Sequence, residues 1–252
     1  KIQSYVISLK ADELKKNKKA QKIQDKVEEA GTEVKTKPKN FTGNVEFGST
    51  FETGNTQKEE LKTNASLSYE KEKWQNITKL KATNGKENDT RYDEEYRINN
   101  QLRYNRSEKD YFFGEAEYVN DRFSGFDYRI SELAGYGYKI LSTDTMSLSV
   151  ETSIGARQSK FVDGDTENSI LGKVGQNYTW DFNKNLSFSE SLGISLSSDS
   201  TITEFEAAFK SKITDSLYLK ASFEVEHISD VPANTKKTDT VNGLTLGYDF
   251  EL

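Results

Sequence analysis

Apolar and polar residues alternate along the chain from residue 41 to residue 252. In one stretch, Leu148 and Val150 stand at even positions while Ser149 and Glu151 stand at odd positions, so the two sets differ in parity. Because successive side chains of a β-strand point to opposite faces, this period of two predicts strands with one apolar and one polar face. About twelve such runs follow one another, each roughly ten to fourteen residues long, and strands of that length can cross a bilayer at a tilt.

The connections between these runs fall into two sets that alternate along the chain. Outer-membrane β-barrels show this alternation, with long extracellular loops and short periplasmic turns. The segment at 197–201 is short and is the one exception. The longer connections are predicted near residues 53–59, 84–91, 120–126, 159–168 and 229–240, and the shorter ones near 69–74, 105–110, 142–145, 182–185 and 214–216.

Large aromatic residues cluster beside the connections that are predicted to be short. Tyr and Trp favour the boundary between a membrane and water, because one end of the side chain is apolar and the other can hydrogen-bond water. A soluble sheet has no reason to collect aromatic residues at one end of its strands. The residues predicted to form this aromatic belt are Tyr69, Trp74, Tyr104, Tyr111, Tyr138, Trp180, Phe182, Tyr218, Tyr248 and Phe250.

The alternation, the connections and the aromatic belt together predict an all-β fold, a transmembrane antiparallel up-and-down β-barrel of about twelve strands. Its expected location is the outer membrane of a Gram-negative bacterium. A closed barrel leaves no strand edge unpaired, as a membrane requires. The alternative is a soluble all-β sandwich or calycin-like barrel, which explains neither the strand length nor the aromatic belt.

Residues 1–40 differ in composition from the rest of the chain. Residues 11–30 are rich in helix formers and lack Pro and Gly, which predicts a weakly amphipathic helix that Gly31 can cap. Residues 1–40 carry a net charge of +5 while the whole chain carries −6, so a basic segment precedes an acidic body. We therefore predict two domains, a short Lys-rich helical arm in the periplasm over 1–40 and the barrel over 41–252.

The composition also excludes several kinds of site. The chain has no Cys, which excludes disulfides and thiolate metal sites, and its one His, His227, excludes sites that need two imidazoles. Asp163, Asp165 and Glu167 lack the spacing of a calcium loop, so no metal or cofactor is predicted. No run approaches the ~18 consecutive apolar residues of a transmembrane helix. If the protein is exported, we expect that a signal peptide has been removed, because no apolar leader precedes the first residues.

Several segments resemble a known family. They are GNVEFGSTFETGNTQ, YFFGEAEYVNDRFSGFDYR, the following GYGY, and the later GAR and NYTW segments, all within residues 41–252. In their order and spacing they are similar to the YdiY-like putative salt-induced outer membrane proteins, a bacterial family defined by a domain of unknown function. The resemblance implies an exported β-barrel. It implies no substrate and no functional residues, and it does not extend to residues 1–40.

The polar face of the predicted strands would line the lumen of the barrel. Two interpretations of so many charges remain open: water fills a narrow pore, or acids and bases pair across the bore and close it. For twelve tilted strands the backbone diameter is roughly 24 Å, so long side chains leave little space. The predicted lumen-lining residues are Glu46, Lys62, Arg97, Arg103, Glu115, Glu117, Arg129, Glu151, Arg157, Lys173, Glu204, Glu206, Lys210, Lys220, Glu224 and Glu226.

Three functions are compatible with such a barrel. The first is a narrow passive channel for small hydrophilic solutes or ions, and the second is a non-conducting structural barrel that docks a periplasmic protein through residues 1–40. The third, an outer-membrane lipid hydrolase, would need His227 beside a Ser nucleophile on a neighbouring strand, and no outward Ser stands out. We therefore predict no catalytic residues. Membrane lipid and lipopolysaccharide are the expected surroundings, and the acidic body argues against nucleic acid.

Two polar residues, Gln176 and Glu190, interrupt otherwise apolar rows. A carboxylate facing lipid is unfavourable by a few kcal/mol near the middle of a membrane. Two explanations remain open at this point: a β-bulge that resets the face of the strand, or a contact with a partner that shields both side chains.

Overall fold

The computed structural model describes residues 40–252 except 53–57, 89, 124, 163, 199 and 232–235. The predicted arm and its helix therefore lie outside the described residues, apart from Asn40. No helix in the described part of the chain is long and apolar enough to cross a membrane. The strands are β1 (Phe41–Glu52), β2 (Lys58–Lys71), β3 (Trp74–Glu87), β4 (Thr90–Asn105), β5 (Asp110–Asp121), β6 (Phe126–Ser142), β7 (Met146–Phe161), β8 (Thr166–Asp181), β9 (Leu186–Ser197), β10 (Thr201–Lys212), β11 (Leu217–Ile228) and β12 (Thr238–Glu251).

Every strand pairs in antiparallel fashion with its neighbours in the chain, and β1 pairs with β12 to close a barrel. The predicted all-β antiparallel barrel of twelve strands is thus confirmed over the described residues. Alternation decides which face of each strand points inward: on β12, Thr245 is 6% exposed whereas Leu244 and Leu246 are 67% and 46% exposed. The apolar side of the sheet consequently faces outward, which is the reverse of a soluble barrel.

We call the end where β1 begins and β12 ends the terminal end, and the opposite end the loop end. The connections at the terminal end span 72–73, 106–109, 143–145, 182–185 and 213–216, and those at the loop end span 53–57, 88–89, 122–125, 162–165, 198–200 and 229–237. The predicted contrast between long and short connections is therefore wrong, since only 229–237 is distinctly long. At 84–91, for example, the polar residues continue the β3–β4 ladder, in which Lys86 pairs with Arg91.

The strand register repeats halfway round the barrel. Tyr111, Gly137 and Glu151 face one another on β5, β6 and β7. Six strands further round, the same three residue types face one another in the same order on β11, β12 and β1, as Tyr218, Gly247 and Glu46. The two halves of the barrel are therefore related by an approximate two-fold rotation about its axis.

Candidate functional site

The interior of the barrel is identified by side chains that meet across it. Arg97 on β4 and Glu204 on β10 form an ion pair with an Nη1–Oε1 distance of 2.5 Å. Five strands separate β4 from β10 in either direction round the barrel, so these two side chains come from opposite walls. Only the lumen lets them meet, and residues of the same parity on neighbouring strands share that face.

Arg97 is the centre of a charge network that crosses the lumen. Its guanidinium also contacts Glu95 at 2.9 Å, Glu226 at 3.2 Å and Glu117 at 4.0 Å. These four carboxylates come from β4, β5, β10 and β11, and a guanidinium with five N–H donors can bind several of them at once. The Arg97 network therefore ties opposite walls of the barrel together at one level of the bore.

Two lysines extend the charge pairing on either side of the Arg97 network. Lys81 on β3 contacts Glu95 at 3.2 Å and Glu224 on β11 at 3.6 Å, while Lys173 on β8 contacts Glu115 on β5 at 3.1 Å. Lys81 and Glu95 were missed by the sequence prediction. Alternation could have found Lys81, because it has the opposite parity to the outward-facing Leu80.

Nearer the terminal end, a tyrosine and a carboxylate from different strands form a second cluster. Tyr111 donates a hydrogen bond to Glu151 at 2.6 Å, and Arg103 pairs with the same carboxylate at 2.9 Å. The Arg103 guanidinium lies over the Tyr111 ring, 4.7 Å from its centre. Gly137 makes room for the ring, since a Cβ at this position would come within 2.2 Å of it.

The approximate two-fold relation repeats this cluster on the other wall. Tyr218 donates a hydrogen bond to Glu46 at 2.9 Å, and its ring lies where a Cβ on Gly247 would come within 2.2 Å. Lys210 lies over this ring at 3.7 Å, as Arg103 does over the other ring. Lys220 pairs with Glu46 at 3.3 Å. Long side chains from two opposite walls thus occupy much of the lumen here.

Tyr111 and Tyr218 correct the predicted aromatic belt. They are 1% and 0% exposed and lie inside the barrel, so they are not part of an outward-facing belt. The prediction grouped them by their closeness to a turn. Their parity, which Tyr218 shares with the inward Lys220, would have placed them in the lumen.

The remaining predicted belt residues lie near the terminal end of the barrel. Trp74 and Tyr104 pack together with ring centres 5.0 Å apart, and Trp180 and Phe182 do so at 4.2 Å. Phe250 covers Gly43, where a Cβ would lie 2.5 Å from its ring. Of the predicted belt residues, those at least one-third exposed are Trp74, Tyr104, Tyr138, Trp180, Phe182 and Tyr248. Tyr69 packs on Phe41 with ring centres 4.5 Å apart.

The other residues predicted to line the lumen lie on the inward face or pair with residues that do. Lys220 also contacts Glu206 at 3.0 Å, and Lys210 contacts Asp249, which the prediction missed, at 2.7 Å. Lys62 contacts Glu60 on its own strand at 3.1 Å. Arg129 and Arg157 are each 6% exposed and line a cavity on the loop-end side of the Arg97 network.

Residues 45–250 match the family described as "Protein of unknown function, DUF481". The chain belongs to this family. It is 29% identical over 218 residues to "Uncharacterized protein YdiY" of Escherichia coli (strain K12), and the match covers 84% of each protein. The resemblance seen in the sequence is thereby confirmed.

Two solved structures are similar to this chain at low sequence identity. A structure of the NanC porin is 11% identical, with a TM-score of 0.52, and the match covers 83% of this chain and 100% of that one. The translocator domain of the autotransporter NalP from Neisseria meningitidis is 11% identical, with a TM-score of 0.49, over 96% and 98% of the two chains. The first of these likenesses shows that the DUF481 chain shares the fold of a porin.

The polar pair on the outer face of the DUF481 barrel does not arise from a bulge. The β8–β9 register continues without a shift from Leu171 to Asp181, so the explanation by a β-bulge is wrong. Gln176 Nε2 donates to Glu190 Oε1 at 3.4 Å, which partly satisfies both groups. A contact with a partner stays a prediction for this pair.

His227, the residue considered above for a lipid hydrolase, lies beside a threonine. Nδ1 of His227 lies 2.8 Å from the hydroxyl of Thr238 on the neighbouring strand, at the loop end. A hydrolase of the kind considered above needs a Ser nucleophile in that position. Among the described residues, no group of three or more His, Asp or Glu side chains is arranged to hold a metal ion.

Replacing Tyr111 or Tyr218 by Phe is expected to lower the free energy of unfolding by about 1–3 kcal/mol, because each change removes a hydrogen bond to a carboxylate. The two sites share no partner, so the double variant should lose the sum of the two effects. Urea unfolding of the folded chain in lipid vesicles measures this, with the outward-facing Tyr118→Phe as the control. A double variant as stable as either single variant would contradict the independence of the two sites.

Proposed function

We propose that the protein is an outer-membrane barrel whose terminal end faces the periplasm. The outward faces of its strands carry exposed Leu, Ile and Val side chains, and exposed Trp and Tyr side chains lie at the terminal end. Such a surface suits hydrocarbon bounded by one membrane–water interface. The fold shared with the NanC porin supports the same location.

We further propose that the lumen is a narrow passive channel for small ions or hydrophilic solutes. The observation that carries this proposal is the Arg97–Glu204 pair, which brings charged groups from opposite walls into the centre of the bore. Burying this many charges away from water is unfavourable by several kcal/mol for each ion, so a lumen lined by them favours hydration. The same pair limits the size of any solute that passes.

A non-conducting barrel is the second candidate, and the pairing of charges across the bore is the observation that favours it. If Arg97 and its carboxylates stay locked together, the barrel is closed at that level. Its function would then be structural, with residues 1–40 docking a periplasmic protein. Pull-down with and without residues 1–40 tests the docking, and identical sets of partners would argue against it.

Single-channel recording separates the two candidates. We expect the folded full chain, inserted in a planar lipid bilayer, to give discrete current steps in KCl. Insertion is checked independently by the heat-dependent shift in electrophoretic mobility that folded barrels show. Inserted chains that give no current steps at any applied voltage would reject the channel in favour of the non-conducting barrel.

A further inference from the structure

A small cavity lies in the lumen between the Arg97 network and the loop end, where about 440 Å³ is not occupied by atoms if the space open to solvent is included. Its lining combines two kinds of side chain that rarely meet in a water-filled pore. One kind is charged, with Arg129 among its members, and the other is apolar. The apolar lining residues are Val119, Leu133, Leu171 and Ile202.

The charges of this cavity are unevenly distributed. Glu117, Glu204 and Glu226 converge on Arg97, and Glu115 pairs with Lys173. The cavity's four carboxylates are therefore all engaged by two cations, Arg97 and Lys173. Arg129 is within electrostatic range of Glu204 and Glu226 but forms an ion pair with no carboxylate of the described residues.

Arg129 is buried in the wall of the barrel and lines the cavity. Arg129 is only 6% exposed, and its guanidinium lies 4.9 Å from the centre of the Phe126 ring. Stacking on a ring fixes the plane of a guanidinium and leaves its N–H groups available. An anion inside the cavity could therefore accept hydrogen bonds from Arg129.

A buried hydroxyl beside Arg129 lacks a hydrogen-bond partner among the described residues. Ser159 on β7 faces Arg129 on β6 directly in the register. Its hydroxyl is buried, and no hydrogen-bond partner for it exists among the described residues. Ser159 does not itself line the cavity, but Ser131 and Ser195 do, and they supply two hydroxyls to it. A guanidinium with nearby hydroxyls is the arrangement that binds a carboxylate.

The apolar side chains narrow the class of ligand. Leu171 is 1% exposed and Ile202 is 5% exposed, yet both lie on the inward face among charges. A bare inorganic anion would gain nothing from this wall, whereas a hydrocarbon body would be removed from water against it. We propose that the cavity binds a small amphipathic organic anion, a carboxylate carried on a short hydrocarbon body, with Arg129 as its counter-ion.

This site would be the place where the proposed channel selects its solute, so the inference rests on that function only in requiring a lumen open to water. Titration calorimetry of the folded full chain in detergent micelles tests it without any measurement of current. The probes are sodium hexanoate, sodium acetate, hexanol and inorganic phosphate. Binding without conduction would reject the channel alone, and conduction without binding would reject the anion site alone.

We expect hexanoate to bind most tightly, gaining over acetate by up to about fourfold for each added methylene. Arg129→Gln should weaken hexanoate binding roughly 10- to 100-fold, because a charge-assisted hydrogen bond is lost. Arg129→Lys should retain part of the affinity. Arg122→Gln, at an exposed residue of the loop end, is the matched control and should bind like the unaltered chain.

Any one of four results would overturn the inference. Equal affinity for hexanoate, acetate and phosphate would show that the apolar wall is not used. Hexanol binding as tightly as hexanoate would show that no cation takes part. Unchanged hexanoate binding by a folded Arg129→Gln variant would place the ligand elsewhere, and absence of binding to the folded unaltered chain would remove the site altogether.

Discussion

Replacing Arg97 by Ala is expected to raise the single-channel conductance and to make the bore select cations. The side chain now reaches Glu204 on the opposite wall at 2.5 Å, so removing it takes away the bridge that crosses the lumen. It also leaves Glu95, Glu117 and Glu226 without their common counter-charge. The lumen at this level, which already holds more carboxylates than cations around Arg97, then becomes more negative by one charge.

The size of the selectivity change follows from the potential that such a group of charges creates. Charged clefts with low-dielectric walls reach potentials of several kT, so the preference for K⁺ over Cl⁻ should rise by about tenfold or more. The effect should weaken as ionic strength rises, because salt screens the carboxylates. Reversal potentials in asymmetric KCl, at low and high concentration, measure both quantities.

Two further variants make this result interpretable. Arg97→Lys keeps the charge and should stay close to the unaltered selectivity, while Arg91→Ala removes an Arg from the loop end and should change little. If Arg97→Ala does not fold, Arg97→Ala with Glu204→Ala removes the bridge and one of the unpaired carboxylates. A folded bridge variant with unchanged conductance and selectivity would show that Arg97 does not limit the bore.

Alternation of parity was enough to predict the strands and the face on which residues such as Arg97 and Glu226 lie. It could not predict that these two meet, because they stand on β4 and β11 and their separation depends on how the strands are staggered round the barrel. Tyr111 was misplaced for a different reason. The belt was inferred from closeness to a turn, whereas Tyr111 has the same parity as the inward-facing Glu115, and Gly137 gives its ring space in the lumen.

The lengths of the connections were predicted wrongly because a run of polar residues does not mark the end of a strand in this fold. Near residues 84–91 the chain is polar and contains Gly85, which usually indicates a loop. In a barrel, however, the charged residues of a strand end can project into water while the backbone ladder continues, and β4 accordingly begins at Thr90. The cavity with Arg129 could not be predicted either, because its apolar wall combines side chains from four strands: Val119, Leu133, Leu171 and Ile202.

Replacing Gly155 by Ala is expected to give the largest loss of stability among single changes of small residues. Gly155 on β7 faces Leu133 on β6, and a Cβ there would lie 1.8 Å from the backbone oxygen of Glu132. Backbone cannot rotate away as a side chain can, so the two strands must separate and lose ladder hydrogen bonds. We expect a loss of about 3 kcal/mol or more, at or above the upper end of ordinary overpacking.

Gly175→Ala on the adjacent strand β8 is the matched control for this change. Gly175 also faces inward, but a Cβ there would lie 3.7 Å from the nearest atom, an ordinary contact. Because Ala restricts the unfolded chain more than Gly, this variant should be as stable as the unaltered protein or up to about 1 kcal/mol more stable. Urea unfolding in lipid vesicles compares the two variants under the same conditions.

The opposite signs expected for the two glycines test whether β6 and β7 approach each other as closely as the structure shows. That approach also determines where Arg129 and Arg157 lie, since both stand on this strand pair and line the cavity. Gly155→Ala should therefore weaken hexanoate binding even where enough folded protein survives to be measured. Equal stability of the two glycine variants would show that β6 and β7 lie further apart than in this structure. The position of Arg129 in the cavity wall would then be in question as well.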